Sequence, residues 1–209
     1  MLAIIAMTTM LIDHIGLLFF PDDSLFRIVG RIAFPLYCWF LVQGYRYTRH
    51  LGRYMRRLFA LACLSQIPFM LATGHDDLNV IFTLLLSLAA LHVADRMQPE
   101  WKKMLLLTGI LCLVVWVPMD YGPYGLLLVF VYRYLSGWKL LVGHLLVNAL
   151  FWSLNGHGFA IQLYSMLGSL LIVLPLSVRL RPGLRWIYIS FYPAHLAALY
   201  LALVLLEQA

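Results

Sequence analysis

The chain is 209 residues long, 63% hydrophobic and only 11% charged, with a mean hydropathy of +0.88. Soluble domains run nearer half apolar and a quarter charged, so a water-soluble protein is excluded. The net charge of +6 does not point to nucleic acid either: 13 of the 15 Lys and Arg residues cluster in short connections, as the excess in cytoplasmic loops of membrane proteins does.

Apolar runs of spanning length recur at 2–20, 26–45, 57–73, 78–95, 103–118, 122–133, 139–154, 158–178 and 185–206. They predict an all-α polytopic membrane helix bundle of about nine transmembrane helices, the sixth being the shortest. Basic connections alternate with acidic ones carrying Asp22, Asp23, Asp76, Asp77, Asp120 and Glu207. That alternation puts the N-terminus in the cytoplasm and the C-terminus outside. No stretch reads as a linker or a separate soluble part, so residues 1–209 are expected to form a single integral domain in the cytoplasmic (inner) membrane. Pro35, Pro68, Pro118, Pro175 and Pro193 fall in or at the ends of these helices, where neighbouring helices can satisfy the freed carbonyls. Cys38, Cys63 and Cys112 are scattered through apolar spans and read as packing residues, with no disulfide or metal spacing.

The first span carries Asp13 and His14 in its outer half, where a cleavable leader would be purely apolar, so it reads as a retained span. Ionisable groups at that depth are costly and mark functional sites by default. A carboxylate beside an imidazole can orient it for proton transfer. Arg27 and Arg31 open the second span, one helical turn apart and so on one face. The short loop between makes the first two helices antiparallel neighbours, and Arg31 is expected to pair with Asp13. A structural ion pair pinning two helices is the competing reading.

Further polar groups fall at the same outer level: His75, Asp76, Asp77 and Asn79; Asp120 and Tyr121; Asn155 and His157. Helix capping or solvation explains most of these, with Asn79 and Asp120 the better site candidates because they abut apolar runs. In the last span Tyr192 and His195 lie three apart on one face around Pro193, and His195 is expected to need a polar partner. No zinc-protease helix, paired Cys, phosphate-binding glycine loop or nucleophile-elbow serine occurs, so no metal and no nucleotide hydrolysis are expected.

Six segments resemble the TraX family of membrane proteins: MLIDHIG at 10–16, GRIAFPLYCWF at 30–40, RRLFALACLSQIPF at 56–69, LNVIFTLLL at 78–86, DYGPYG at 120–125 and FYPAHL at 191–196. They occur in family order over most of the chain. The family's founding member acetylates the N-terminus of a conjugative pilin. The resemblance therefore implies an acyltransferase taking acetyl from cytoplasmic acetyl-CoA, with a pilin N-terminus or a surface glycan as acceptor. It also implies that His14, and less directly Arg31, serve the transfer. On this expectation His14, supported by Asp13, is the general base, and Arg31 or Asn79 steadies the oxyanion, a service worth about 10²–10³ in rate. Arg27, Asp120, Tyr192 and His195 complete the binding site, and the basic loop from Arg46 to Arg57 attracts the donor's phosphates. The alternatives are a transporter using Asp13, Arg31 and His195 as a proton or substrate path, and a non-catalytic membrane chaperone for pilin subunits.

Overall fold

A computed structural model describes residues 1–174 and 185–208. Pro175, Arg179 and Arg181, and the side chains of His157, Arg185 and Glu207, lie outside the described residues. The described chain is helical throughout, without strands: α1 (Leu2–Phe19), α2 (Ser24–Gly30), α3 (Ala33–Tyr47), α4 (Leu51–Thr73), α5 (Val80–Arg96), α6 (Glu100–Trp116), α7 (Gly122–Tyr134), α8 (Trp138–Asn155), a 3₁₀ segment (Gly156–Ser165), α9 (Met166–Val173) and α10 (Arg185–Glu207). Three helical stretches are long and apolar enough to cross a membrane, Leu2–Phe19, Ser24–Tyr47 and Leu51–Thr73, and shorter apolar helices follow. The outward faces carry large apolar side chains such as Leu64 and Ile67 on α4, Leu105 and Trp116 on α6, and Leu146 and Leu154 on α8. Continuous apolar exposure of this kind marks a surface that meets lipid or protein rather than water.

The expected second span is one such stretch, but it breaks after Gly30. Pro35 explains the break. Its ring clashes with the carbonyl four residues earlier, that of Arg31, and it brings no N–H to bond there. α2 ends and α3 starts on either side of Arg31–Ile32. The helix of the third expected span begins at Leu51, six residues before the expected 57, so Arg53 and Arg56 belong to α4 with Arg57 and not to a loop.

The expected span at 158–178 is not one α-helix either. Its first part winds as 3₁₀, and among its described residues the α-helix is Met166–Val173. At three residues per turn, Phe159, Gln162 and Ser165 stack in one stripe. All three meet the interior, with Phe159 against Tyr124, Gln162 at Arg31 and Ser165 at His144.

α1 and α2 are antiparallel neighbours, as the short loop requires, with Asp23 capping α2 through the Leu25 N–H. Gly16 lies against Phe26 and Gly30 against Asp13, so the register is set by two glycines that allow close approach. α7 is the most enclosed helix, burying Tyr124, Leu126, Leu128, Val129 and Tyr132. One apolar cluster forms around α3, α5, α7 and α8, and a second around Met10, Ala62, Phe69, Ile81, Tyr192 and Leu196. The polar site lies where these clusters adjoin. Cys38 is buried as a packing residue, while Cys63 and Cys112 face outward, and all three are free thiols.

Candidate functional site

α1 turns Asp13 and His14 toward different partners, as neighbours on a helix must, about 100° apart at ~3.6 residues per turn. Asp13 Oδ2 pairs with Arg27 at 3.0 Å. The expected Asp13–Arg31 pair is therefore replaced by Asp13–Arg27, although the Arg31 N–H still bonds the Arg27 carbonyl at 3.1 Å and the two arginines keep their one-turn spacing. Arg31 instead donates from Nη1 to the Tyr121 hydroxyl at 3.0 Å and to Gln162 Oε1 at 3.3 Å.

His14 has a different support from the one expected. Its Nδ1 lies 2.9 Å from the Met10 carbonyl, and His195 Nδ1 lies 2.7 Å from the Phe191 carbonyl. A carbonyl only accepts, so both Nδ1 atoms carry the proton. His195 Nε2 is then an acceptor, and at 3.2 Å it shares the His14 Nδ1 proton. The arrangement leaves His14 Nε2 with an unprotonated lone pair. The orienting partner of His14 is thus His195, while Asp13 is committed to Arg27. Tyr192 sits edge-on to both imidazoles, with ring centroids 6.4 Å from His14 and 5.7 Å from His195.

These groups border a cavity of about 290 Å³ whose lining includes Asp13, His14, Asp120, Tyr121 and Tyr192 at its polar end. The remainder is apolar: Ala3, Met7 and Met10 of α1 face Tyr37 and Phe40 of α3 and Leu58 and Leu61 of α4. Asp13 Oδ1 and Arg31 Nε are buried without a hydrogen-bond partner among the described residues. Orphaned buried groups are rare because each costs ~1–3 kcal/mol, so both are open to a further polar contact.

The connection between α6 and α7 supplies Asp120 and Tyr121. Leu78 bridges to Met119, with the Asp120 N–H donating to the Leu78 carbonyl at 2.9 Å and Thr83 Oγ1 donating to the Asp120 carbonyl at 2.6 Å. Burial pushes the Asp120 carboxyl up to about 6, against the opposing pull of Arg31. Tyr121 has φ 63°, a left-handed conformation that costs a non-glycine residue on the order of 1 kcal/mol or more and is often kept at functional sites. It lays the ring on Phe34, centroids 3.7 Å apart, and presents the hydroxyl to Arg31.

Asn79 does not join this site. Its Oδ1 caps α5 at the Ile81 N–H, and its Nδ2 donates to the Ala62 carbonyl and to Gln66 Oε1. Both amide protons are used, and the cap of α5 accounts for the residue. His75, Asp76, Asp77 and Asn155 are exposed, away from the cavity.

Two features escape the sequence reading. Gln162, on the 3₁₀ segment, accepts from Arg31. A second polar cluster is fully enclosed: His144 Nδ1 bonds Ser169 Oγ at 2.6 Å, its Nε2 meets Tyr124 Oη at 2.9 Å and Ser165 Oγ at 3.0 Å, and Tyr132 Oη bonds Ser169 at 2.6 Å. Asn148 accepts from Tyr124 at 3.1 Å. The four-residue spacing of His144 and Asn148, and of Ser165 and Ser169, is the signal that could have found it.

The family model described as TraX protein matches residues 1–203. The chain belongs to the TraX family. It is also similar over 99% of its length to a probable fimbrial assembly protein, FimC of serogroup H1, from Dichelobacter nodosus, at 28% identity and covering 96% of that protein. A 46-residue stretch, 22% of this chain, is 52% identical to an uncharacterized protein of Rickettsia prowazekii and spans 16% of it. No solved structure matches. The six segments that carry the TraX resemblance lie in α1, α2–α3, α4, α5, the start of α7 and α10, and three of them supply groups to the cavity's polar end: MLIDHIG, DYGPYG and FYPAHL.

Proposed function

We propose that this TraX-family protein is a multi-pass acetyltransferase of the cytoplasmic membrane, moving acetyl from acetyl-CoA to an amine or hydroxyl. A pilin N-terminus is the favoured acceptor, with a surface glycan as the other. Support for a pilin comes from the relative named as a fimbrial assembly protein. The nine-span arrangement with a cytoplasmic N-terminus belongs to this reading and rests on the alternation of basic and acidic connections.

The observation that carries the chemistry is the tautomer of His14: Nδ1–H is held by Met10 and His195, leaving a basic Nε2 on a residue that lines a largely apolar cavity. His14 Nε2 removes the proton from the acceptor amine as its nitrogen attacks the thioester carbonyl carbon. The C–N bond forms, the C–S bond breaks, and His14 returns the proton to the departing sulfur. Arg31, with Nε unpartnered, stabilises the oxyanion. No protein nucleophile and no metal enters the steps. Asp13 and Arg27 neutralise each other at the edge of the site. The alternative of a proton or substrate path through Asp13, Arg31 and His195 fits less well, since each of the three is tied to a partner and, of the three, Asp13 alone lines the cavity.

The test is the mass of envelope pilins and glycans from cells with the wild-type protein, with His14→Ala and with none. One acetyl group present only with the wild type supports the reading, provided the variant reaches the membrane in equal amount. Full acetylation by His14→Ala refutes the base assignment, and identical masses in all three refute the transferase.

A further inference from the structure

A second cavity, of about 480 Å³, opens at the α3–α4 connection, lined by Arg49, His50, Arg53 and Arg57 with Tyr47 and Tyr54. Arg53 and Arg57 lie one turn apart on the first turns of α4 and so share a face, and Arg49, just before the helix, lines the same hollow. The N-terminus of α4 has no side-chain cap at His50. The ion pairs among the described residues are Arg27–Asp13, Lys103–Glu100 and Arg133–Asp95, and the arginines of this basin belong to none of them. The positive-inside tendency accounts for cations at this end of the bundle. It does not account for their arrangement around a hollow, nor for what adjoins that hollow.

The two cavities share the seam between α3 and α4. Tyr54 lies against Gly44 in the basin, while Leu58 and Leu61, one and two turns on, line the first cavity, as does Phe40 one turn before Gly44. Along α1 the first cavity runs from Ala3 to His14, ~16 Å of helix at ~1.5 Å per residue. A cationic hollow therefore sits at one end of an apolar groove and a basic imidazole at the other.

We infer that basin and groove form one bipartite site for a phosphate-headed thioester, with its phosphates on Arg49, Arg53 and Arg57 and its arm lying along the seam to His14. The inference rests on the acyl-transfer reading for the arm, and on the basin's own geometry for the head. Arginine is suited to the head, since its planar fork donates to two phosphate oxygens at once.

The experiment uses the purified full-length protein in nanodiscs of neutral lipid. Its probes are coenzyme A without an acyl group, S-acetylpantetheine without phosphates, and nanodiscs containing phosphatidylglycerol. Coenzyme A should raise the Tm of the wild type. Arg53→Ala combined with Arg57→Ala should weaken coenzyme A binding by ~10-fold or more while leaving S-acetylpantetheine binding unchanged, and should raise KM for acetyl-CoA with little change in kcat. Arg96→Ala combined with Lys139→Ala removes an equal charge from exposed positions outside the basin, and this control pair should bind as the wild type does. Equal affinity of the Arg53, Arg57 double variant and the wild type for coenzyme A overturns the inference, as does an equal loss in the control pair. Stabilisation by phosphatidylglycerol alone, abolished in the double variant, keeps the phosphate site but makes its head a lipid's and overturns the thioester. Coenzyme A binding that depends on the arginines, without transfer by any form of the protein, refutes the acyl-transfer reading and leaves the basin standing.

Discussion

Gly30→Ala should disrupt the site from a position that carries no chemistry. A Cβ at Gly30 would fall within the Asp13 carboxyl group, overlapping its Oδ1, Cγ and Cβ. The carboxylate cannot swing away freely, because it is held 3.0 Å from Arg27 and is only 16% exposed. Overpacking costs ~1–3 kcal/mol. Loosening a partly buried ion pair adds on the order of 1 kcal/mol. The sum, about 2–4 kcal/mol, should lower Tm by roughly 5–15 °C at ~2–4 °C per kcal/mol for a chain of this size. Gly109→Ala is the matched control, since a Cβ there meets nothing within 4 Å. In mid-helix it should raise stability by ~0.4–1 kcal/mol. Thermal unfolding of the two purified variants in one detergent decides the matter. Were Gly30→Ala as stable as Gly109→Ala, the close approach of α1 and α2 at Asp13 would be wrong, and with it the placement of Arg27.

Arg27→Gln alone should destabilise by ~1–3 kcal/mol, because it leaves both Asp13 oxygens unpaired, and Asp13→Asn added to it should recover most of the loss. A double variant no more stable than Arg27→Gln in thermal melts sinks the pairing. Asn79→Ala should cost ~1–3 kcal/mol through the lost cap of α5 and the unsatisfied Ala62 carbonyl, yet leave KM and kcat of the folded fraction unchanged; altered kcat would restore Asn79 to the chemistry. Asp120 releases its proton at about 6 when folded, against 3.8 for the ordinary carboxyl. Between those values the folded state holds more protons, so stability should fall as pH rises from about 4 to about 6, and Asp120→Asn should flatten that slope. A wild-type Tm that climbs across the window, with Asp120→Asn climbing equally, refutes the buried placement of Asp120.

The helical class and the interest of α1 were legible because both follow from local properties of the chain. Spanning-length apolar runs specify helices, and a charge inside one is conspicuous. The α1–α2 pairing followed from a loop too short for any other neighbour. Asp13 pairs with an arginine as expected, but with Arg27 and not Arg31, because spacing of one turn does not say which guanidinium reaches back to α1 and which reaches the α6–α7 connection. The His14–His195 contact joins residues far apart in sequence, and nothing local specifies which intramembrane histidine another will meet. Asp95 was overlooked at the end of α5, where it holds Arg133 at 2.6 Å and Tyr134 at 2.7 Å. His144 escaped notice because each of its partners lies on a different helix or turn from its own.

The groups that surround His14 arrive by departures from regular helix. Arg31, at the break between α2 and α3, reaches the α6–α7 connection, where a left-handed Tyr121 meets it. The 3₁₀ turn carries Gln162 to the same guanidinium. A continuous α-helix there would keep Gln162 and Ser165 on one face but turn Phe159 away from it. A neutralised Arg31 is a poor oxyanion partner. One held by two neutral oxygens keeps its positive charge available and still has Nε unpaired. Repair of the break is therefore the sharper perturbation: Pro35→Ala removes its cause without touching a site residue. It should strengthen the helix while weakening transfer, a combination that a purely structural account of Pro35 does not produce.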